Sequence, residues 1–171
     1  MSIREIITIP GPTLRKKARK VTDFGPELQL LIDDMIETMR AAPGVGLAAN
    51  QVDIPLRVVV VEYGEEDENG EEKTPARLYT LVNPEITRVD QETEIAPEGC
   101  LSIPGFAGEV ERSVAITVKA QNRHGQPVRV KAKGWLARIF QHELDHLEGV
   151  LFIDRAENVW ELKEGDEVPL D

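Results

Sequence analysis

Residues 141–149 read Gln-His-Glu-Leu-Asp-His-Leu-Glu-Gly and contain His142-Glu143-x-x-His146. Imidazoles four residues apart share one face of a helix and can reach a single metal ion. Glu143 is turned by about 100° from His142, near enough to take a proton from a water that such an ion activates. The chemistry this suggests is metal-assisted hydrolysis. The same spacing also occurs in helices whose imidazoles are ordinary core or surface groups, so a third ligand is needed. Catalytic sites usually combine three protein ligands with one open position. A downstream His or Glu could supply it, and so could Cys100, in Glu98-Gly99-Cys100-Leu101-Ser102. Cys100 reads either as a small buried apolar side chain or as a thiolate ligand suited to Fe(II) or Zn(II). The remaining histidine, His124, lies in a turn sequence and reads as solvent-exposed.

A third segment, Gly44-Val45-Gly46-Leu47-Ala48-Ala49-Asn50-Gln51, is informative only in company. It is not a phosphate loop, because no Gly-Lys-Ser/Thr follows. Its small residues allow another chain's backbone to come close, and Gln51 offers an amide donor.

The elements that must position these residues are partly visible. Pro10-Gly11-Pro12 marks an early turn, and a small basic cluster follows (Arg15, Lys16, Lys17, Arg19, Lys20) that reads as an exposed face. Pro26 suits the first turn of a helix. Leu28, Leu31, Ile32, Met35, Ile36 and Met39 then form one amphipathic stripe that ends at Ala42-Pro43-Gly44. Leu56–Val61 is a short β-branched run, predicted as a buried strand. An acidic stretch with Asn69-Gly70 reads as a mobile connection. A strand restarts over Leu78–Val82, and Asn83-Pro84 is expected to limit it. Val114–Ala120 and Val128–Ala132 flank a turn sequence and predict a hairpin. The segment from Gly134 to Gly149 reads as a helix with Gly149 as its stop. Arg138, Gln141, Asp145 and Glu148 line one polar face of it. Both His residues and Glu143 fall on its apolar side, so the helix is predicted to be buried and its ligands need partners. The expected fold class is α+β: antiparallel strands and a hairpin around a central metal-binding helix, with an N-terminal amphipathic helix.

Composition sets the outer limits. The 171 residues are expected to form one domain with a real core. No apolar run approaches the ~18 residues of a membrane span, and the first residues lack the apolar core of a signal peptide. One cysteine excludes an internal disulfide, and the expected compartment is a reducing cytoplasm. The net charge of −11 is local. Residues 62–73 carry −6 and the tail 157–171 carries −5, so the remainder is neutral. Solvated acidic surface explains both segments, and duplex nucleic-acid binding, which needs a cationic surface, is not expected.

Taken together, the Gly-x-Gly-Leu-Ala-Ala-x-Gln run at 44–51, Glu-Gly-Cys-Leu-Ser at 98–102 and Gln-His-Glu-x-Asp-His at 141–146 resemble the peptide deformylase family. The motifs stand in the family's order and at its spacing, and the resemblance covers roughly residues 3–155. It implies Cys100, His142 and His146 as metal ligands and Glu143 as general acid and base. It implies the Gln51 amide and the Leu101 backbone N–H as oxyanion donors. Val45 and Gly46, with Gln51 and Leu101, would receive the peptide backbone, and Glu98 and Arg112 would form a supporting ion pair. The implied ion is Fe(II), with Zn, Ni or Co able to take the same place. The implied substrate is an N-formyl-methionyl peptide at the start of a nascent chain, with transient ribosome contact and no membrane partner; formate is released. Trp135 stands where the family commonly has Leu, near the methionine side-chain pocket, and is expected to narrow or cap it. A zincin-like peptidase would instead place its third ligand downstream, where no His follows His146.

Overall fold

In the computed structural model, which describes residues 2–65, 69–71, 73–166 and 169, the apolar stripe and the β-branched run meet as one packed unit. Helix α1 (Pro26–Ala41) opens with proline in its first turn and Glu27 at the positive end of its dipole. Leu28, Leu31, Ile32, Met35, Ile36 and Met39 are all buried. They pack against Val58, Val60 and Val82.

Strand β1 (Gly46–Ala48) and a 3-10 turn (Ala49–Val52) precede β2 (Val58–Tyr63). Next come β3 (Arg77–Val89), β4 (Thr93–Cys100), β5 (Ile103–Ser113) and the hairpin β6 (Ala115–Gln121) with β7 (Pro127–Lys133). The chain then runs through α2 (Gly134–Leu147), α3 (Phe152–Arg155) and β8 (Asn158–Glu161). One antiparallel sheet has the order β1-β2-β3-β6-β7 and a second has the order β4-β5-β8. Val58 to Val61 are fully buried on both faces of β2, which explains their unbroken apolar run. One face meets α1. The other, with Val59, Val61, Leu81 and Val118, meets Ala137, Ile139, Phe140 and Leu147 of α2. The α+β architecture and the helix at its centre are as expected.

Strand β3 does not stop at Asn83-Pro84, as the sequence suggested. It continues to Val89 through a register shift between Val82 and Glu85. Asn83 adopts a positive φ of 53°, and the resulting bulge removes Pro84 from the need to donate. The Asn83 side chain completes the pairing that the bulge breaks. Its Oδ1 accepts from Val21 N at 2.8 Å, and Nδ2 donates to Val21 O at 2.9 Å and to Gln121 Oε1 at 2.8 Å.

Strands β4 and β5 have no clear sequence signal, because Pro97, Gly99 and four glutamates interrupt any alternation. They exist because they pair with each other and cover the polar face of α2. The acidic tail begins as edge strand β8 on β5. Of the expected mobile connection, Glu66, Asp67, Glu68 and Glu72 lie outside the described residues; its base is closed by Lys73 N and Thr74 N donating to Glu65 O at 2.8 and 3.1 Å. Among the described residues no helix is long and apolar enough to cross a membrane.

Asn83→Ala removes three hydrogen bonds and puts a side chain with no local polar group at positive φ. The expected loss is about 3 kcal/mol in urea unfolding, with Asn83→Gly losing less because its backbone is unstrained. Equal losses in the two variants would show that the bulge stores no conformational preference.

Candidate metal centre

Three elements deliver the chemistry. The β4–β5 hairpin brings Cys100 at its tip, with Leu101 and Ser102 forming the turn before Ile103 pairs back to Cys100. The α2 helix brings His142, Glu143 and His146 from its inner faces. The turn after β1 brings Gln51, and β1 itself brings Gly46.

Cys100, His142 and His146 are buried, and one potential ligand atom from each lies within 4.8 Å of the others. Cys100 Sγ is 3.4 Å from His146 Nε2. His142 Nδ1 is 2.9 Å from Glu98 Oε1, which leaves Nε2 as the nitrogen that could ligate a metal. That Nε2 is buried and makes no hydrogen bond. A buried imidazole nitrogen without a partner is costly, and a divalent ion between one thiolate and two imidazoles supplies the partner. The donor set therefore fits a metal ion. Burial pushes the His146 imidazole well below its ordinary range, and the nearby His142 and Arg112 charges act the same way. His146 is thus held neutral, the form that binds metal.

Gln51 is fully buried and its amide is fixed at both ends. Oε1 accepts from Ala48 N at 3.0 Å, while Nε2 lies 3.1 Å from Ser102 Oγ and 3.6 Å from Cys100 Sγ. The Glu143 carboxylate lies against Gly46: a Cβ there would sit 2.6 Å from Glu143 Oε2. Gly46 is required by this close approach. Val45 faces a cavity of about 480 Å³ shared with Glu62, Tyr63, Gly64 and Trp135. A cavity of about 520 Å³ between α1 and residues 19–23 contains none of these groups. His124 is exposed in the β6–β7 turn and takes no part.

The chain matches the family model described as polypeptide deformylase over residues 3–161. A peptide deformylase from Natranaerobius thermophilus is 46% identical over 164 residues, covering 96% of this chain and 99% of that one. Another, from Thermomicrobium roseum, is 48% identical, covering 92% of this chain and 88% of its own length. The crystal structure of the Thermotoga maritima peptide deformylase superposes with a TM-score of 0.83 at 44% identity, covering 92% of this chain and all of that one. The chain belongs to the polypeptide deformylase family. Its activity is the family's, metal-dependent hydrolysis that removes the formyl group from the N-terminal formyl-methionine of newly made proteins and releases formate.

Around this deformylase centre lies a polar network that only the structure reveals in full. Glu98 is completely buried. Arg112 donates to both of its oxygens at 2.8 and 2.9 Å, Arg138 donates to Oε2 at 2.6 Å, and His142 meets Oε1. Burial by itself pushes the Glu98 carboxyl up; hydrogen bonds from Arg112 and His142 outweigh it and hold the group well below the usual carboxylate range. Arg112 also donates to Asp145 Oδ2 at 2.6 Å, and Arg155 pairs with Asp145 at the surface. Arg138, placed by periodicity on a plain polar face, is buried against β4 and β5. Asp145 is similarly drawn inward. The available signal was Glu98 itself: if buried, it needs cations, and α2 offers one a turn before His142.

Because its folded carboxyl is depressed, Glu98 contributes stability that is fully present above its unfolded value of about 4.3. That contribution falls by about 1.4 kcal/mol per pH unit below it, as the unfolded chain takes up a proton that the native state refuses. In metal-free protein, the stability gap between wild type and Glu98→Gln is expected to shrink between about pH 6 and pH 3 in denaturant unfolding. A gap that stays constant over this range would contradict the buried ion cluster.

Proposed function

We propose that Cys100, His142 and His146 hold one divalent ion, Fe(II) in the cell, and that Glu143 moves the proton in each half of formyl hydrolysis. The observation that carries this reading is the convergence of three buried ligand atoms within 4.8 Å, with Glu143 beside them on the next face of the same helix. A bound ion would lower the pKa of a water and polarise the formyl carbonyl. Glu143, seated on Gly46, accepts the proton of the attacking water and passes it to the leaving amine. The Gln51 amide and the Leu101 N–H donate to the oxyanion, each worth ~3 kcal/mol in the transition state. Oε1 of Gln51 is held by Ala48 N, which aims its NH2 end at Ser102 Oγ and Cys100 Sγ; donation to the oxyanion would replace the longer of these two contacts, the 3.6 Å one to the thiol.

The peptide backbone pairs in extended form with β1, which ends its sheet and so presents an edge at Val45 and Gly46. Trp135 shares a cavity with Val45 and narrows the methionine side-chain pocket. A single catalytic domain in a reducing cytoplasm suits the thiol ligand. Nascent chains are met by transient ribosome contact, and neither membrane nor duplex nucleic acid is a partner.

Formate release from formyl-Met-Ala-Ser is expected to be lost with chelator and restored by Fe(II) added without oxygen. Elemental analysis after anaerobic purification is expected to find one iron per chain. Glu143→Ala is expected to keep its metal and lose at least about a hundredfold in kcat; turnover close to wild type in that variant would sink the proton-transfer role. Trp135→Leu is expected to alter kcat/KM for formyl-Met peptides, and an unchanged value counts against the narrowed pocket.

A further inference from the structure

Arg112 cannot neutralise Glu98 alone, because its guanidinium is shared with Asp145. The second cation is Arg138, whose position relative to the ligands is specific. Arg138 and His142 stand one turn apart on α2, on the same face. Between them they occupy both oxygens of Glu98: Arg138 Nη1 takes Oε2 at 2.6 Å and His142 Nδ1 meets Oε1 at 2.9 Å. Glu98 lies two residues before Cys100 on β4. The same guanidinium donates to Val110 O on β5 at 2.8 Å and to Glu94 O on β4 at 2.6 Å. The Trp135 ring covers it, with the guanidinium carbon 5.6 Å from the ring centroid. Arg138 therefore joins the helix that carries two ligands to both strands of the hairpin that carries the third.

We propose that Arg138 is a positioning residue for the metal centre, setting the distance and orientation of the Cys100 thiolate relative to His142 and His146. This rests on the ligand assignment above. A lysine at 138 would keep the charge beside Glu98 but could not span to both strand carbonyls. A leucine would remove the charge and all three contacts.

The test uses cobalt(II)-loaded full-length protein. The readouts are the thiolate-to-cobalt charge-transfer band and the cobalt dissociation constant from chelator competition, both measured well below the melting temperature. Arg138→Leu is expected to weaken cobalt binding by about 10- to 100-fold and to shift or weaken the band. Arg138→Lys is expected to fall between it and wild type. Arg123→Leu removes a guanidinium from the β6–β7 turn, where it binds Gln29 and Asp33, and is expected to leave both readouts unchanged. Lowered melting temperatures in both Arg138 variants, with band and affinity within twofold of wild type, would reduce Arg138 to a fold-stabilising residue and overturn the proposal. If Arg138→Leu does not fold, the Lys variant decides by the same two readouts. Absence of a charge-transfer band in wild type would overturn the ligand assignment and this proposal with it; a wild-type band unchanged in the variants overturns the positioning role alone.

Discussion

The site depends on one carboxylate that water does not reach. Glu98 is fully buried, and an uncompensated charge there would cost several kcal/mol. Its compensation comes from three different places in the chain: Arg112 on β5, and Arg138 and His142 on α2. Each partner is fixed by the need to satisfy Glu98, so the carboxylate dictates how β4, β5 and α2 sit together. The candidate metal ligands inherit that arrangement. Cys100 follows Glu98 by two residues, and His142 is held by it directly. Replacing this cluster with apolar residues could give an equally stable core, since buried ion pairs are weak sources of net stability. It would not give an imidazole with one nitrogen fixed by Glu98 and the other left without a hydrogen bond.

Helix α2 meets this constraint because it lies between two sheets of different character. Its Ile139, Phe140 and Leu147 pack against the valines of β2 and their neighbours, which supplies the hydrophobic contact. Its Arg138, Gln141 and Asp145 face the β4–β5 sheet. Gln141 even closes a strand end, its amide donating to Ser113 O at 2.9 Å and its carbonyl accepting from Ser113 N at 3.0 Å. The five-stranded sheet therefore anchors the helix, while the three-stranded sheet orients its polar groups. The candidate ligands lie along the seam between these two interfaces.

Legibility in the sequence followed this division. Elements defined by apolar contact could be read: the stripe of α1, the run of β2 and the β6–β7 hairpin carry periodicities that burial alone imposes. Elements defined by polar contact could not. Strand β4, with Pro97 and Gly99, has no alternation to find, and Arg138 looks like any exposed arginine until a buried carboxylate is placed opposite it. Asn83-Pro84 misled for a related reason. Its turn chemistry is real, but the chain uses it inside a strand, where the asparagine amide substitutes for the missing ladder bonds. The two histidines of the candidate site were legible because a shared metal constrains their spacing within α2, whereas Cys100 stood out only through the family resemblance.

Glu98 and Glu143 are both buried carboxylates, yet their surroundings differ. Glu98 is held by two guanidiniums and an imidazole, and its affinity for a proton is suppressed. A group so held cannot accept a proton from water and return it to an amine. Glu143 sits against the bare backbone of Gly46. Glu98 is thus fixed as an anion beside the candidate ligands, whereas the proton transfer proposed for this site falls to Glu143. The glycine that makes room for it belongs to β1, the edge strand proposed to pair with the peptide, so one short segment would set both the position of the proposed proton acceptor and the path of the substrate.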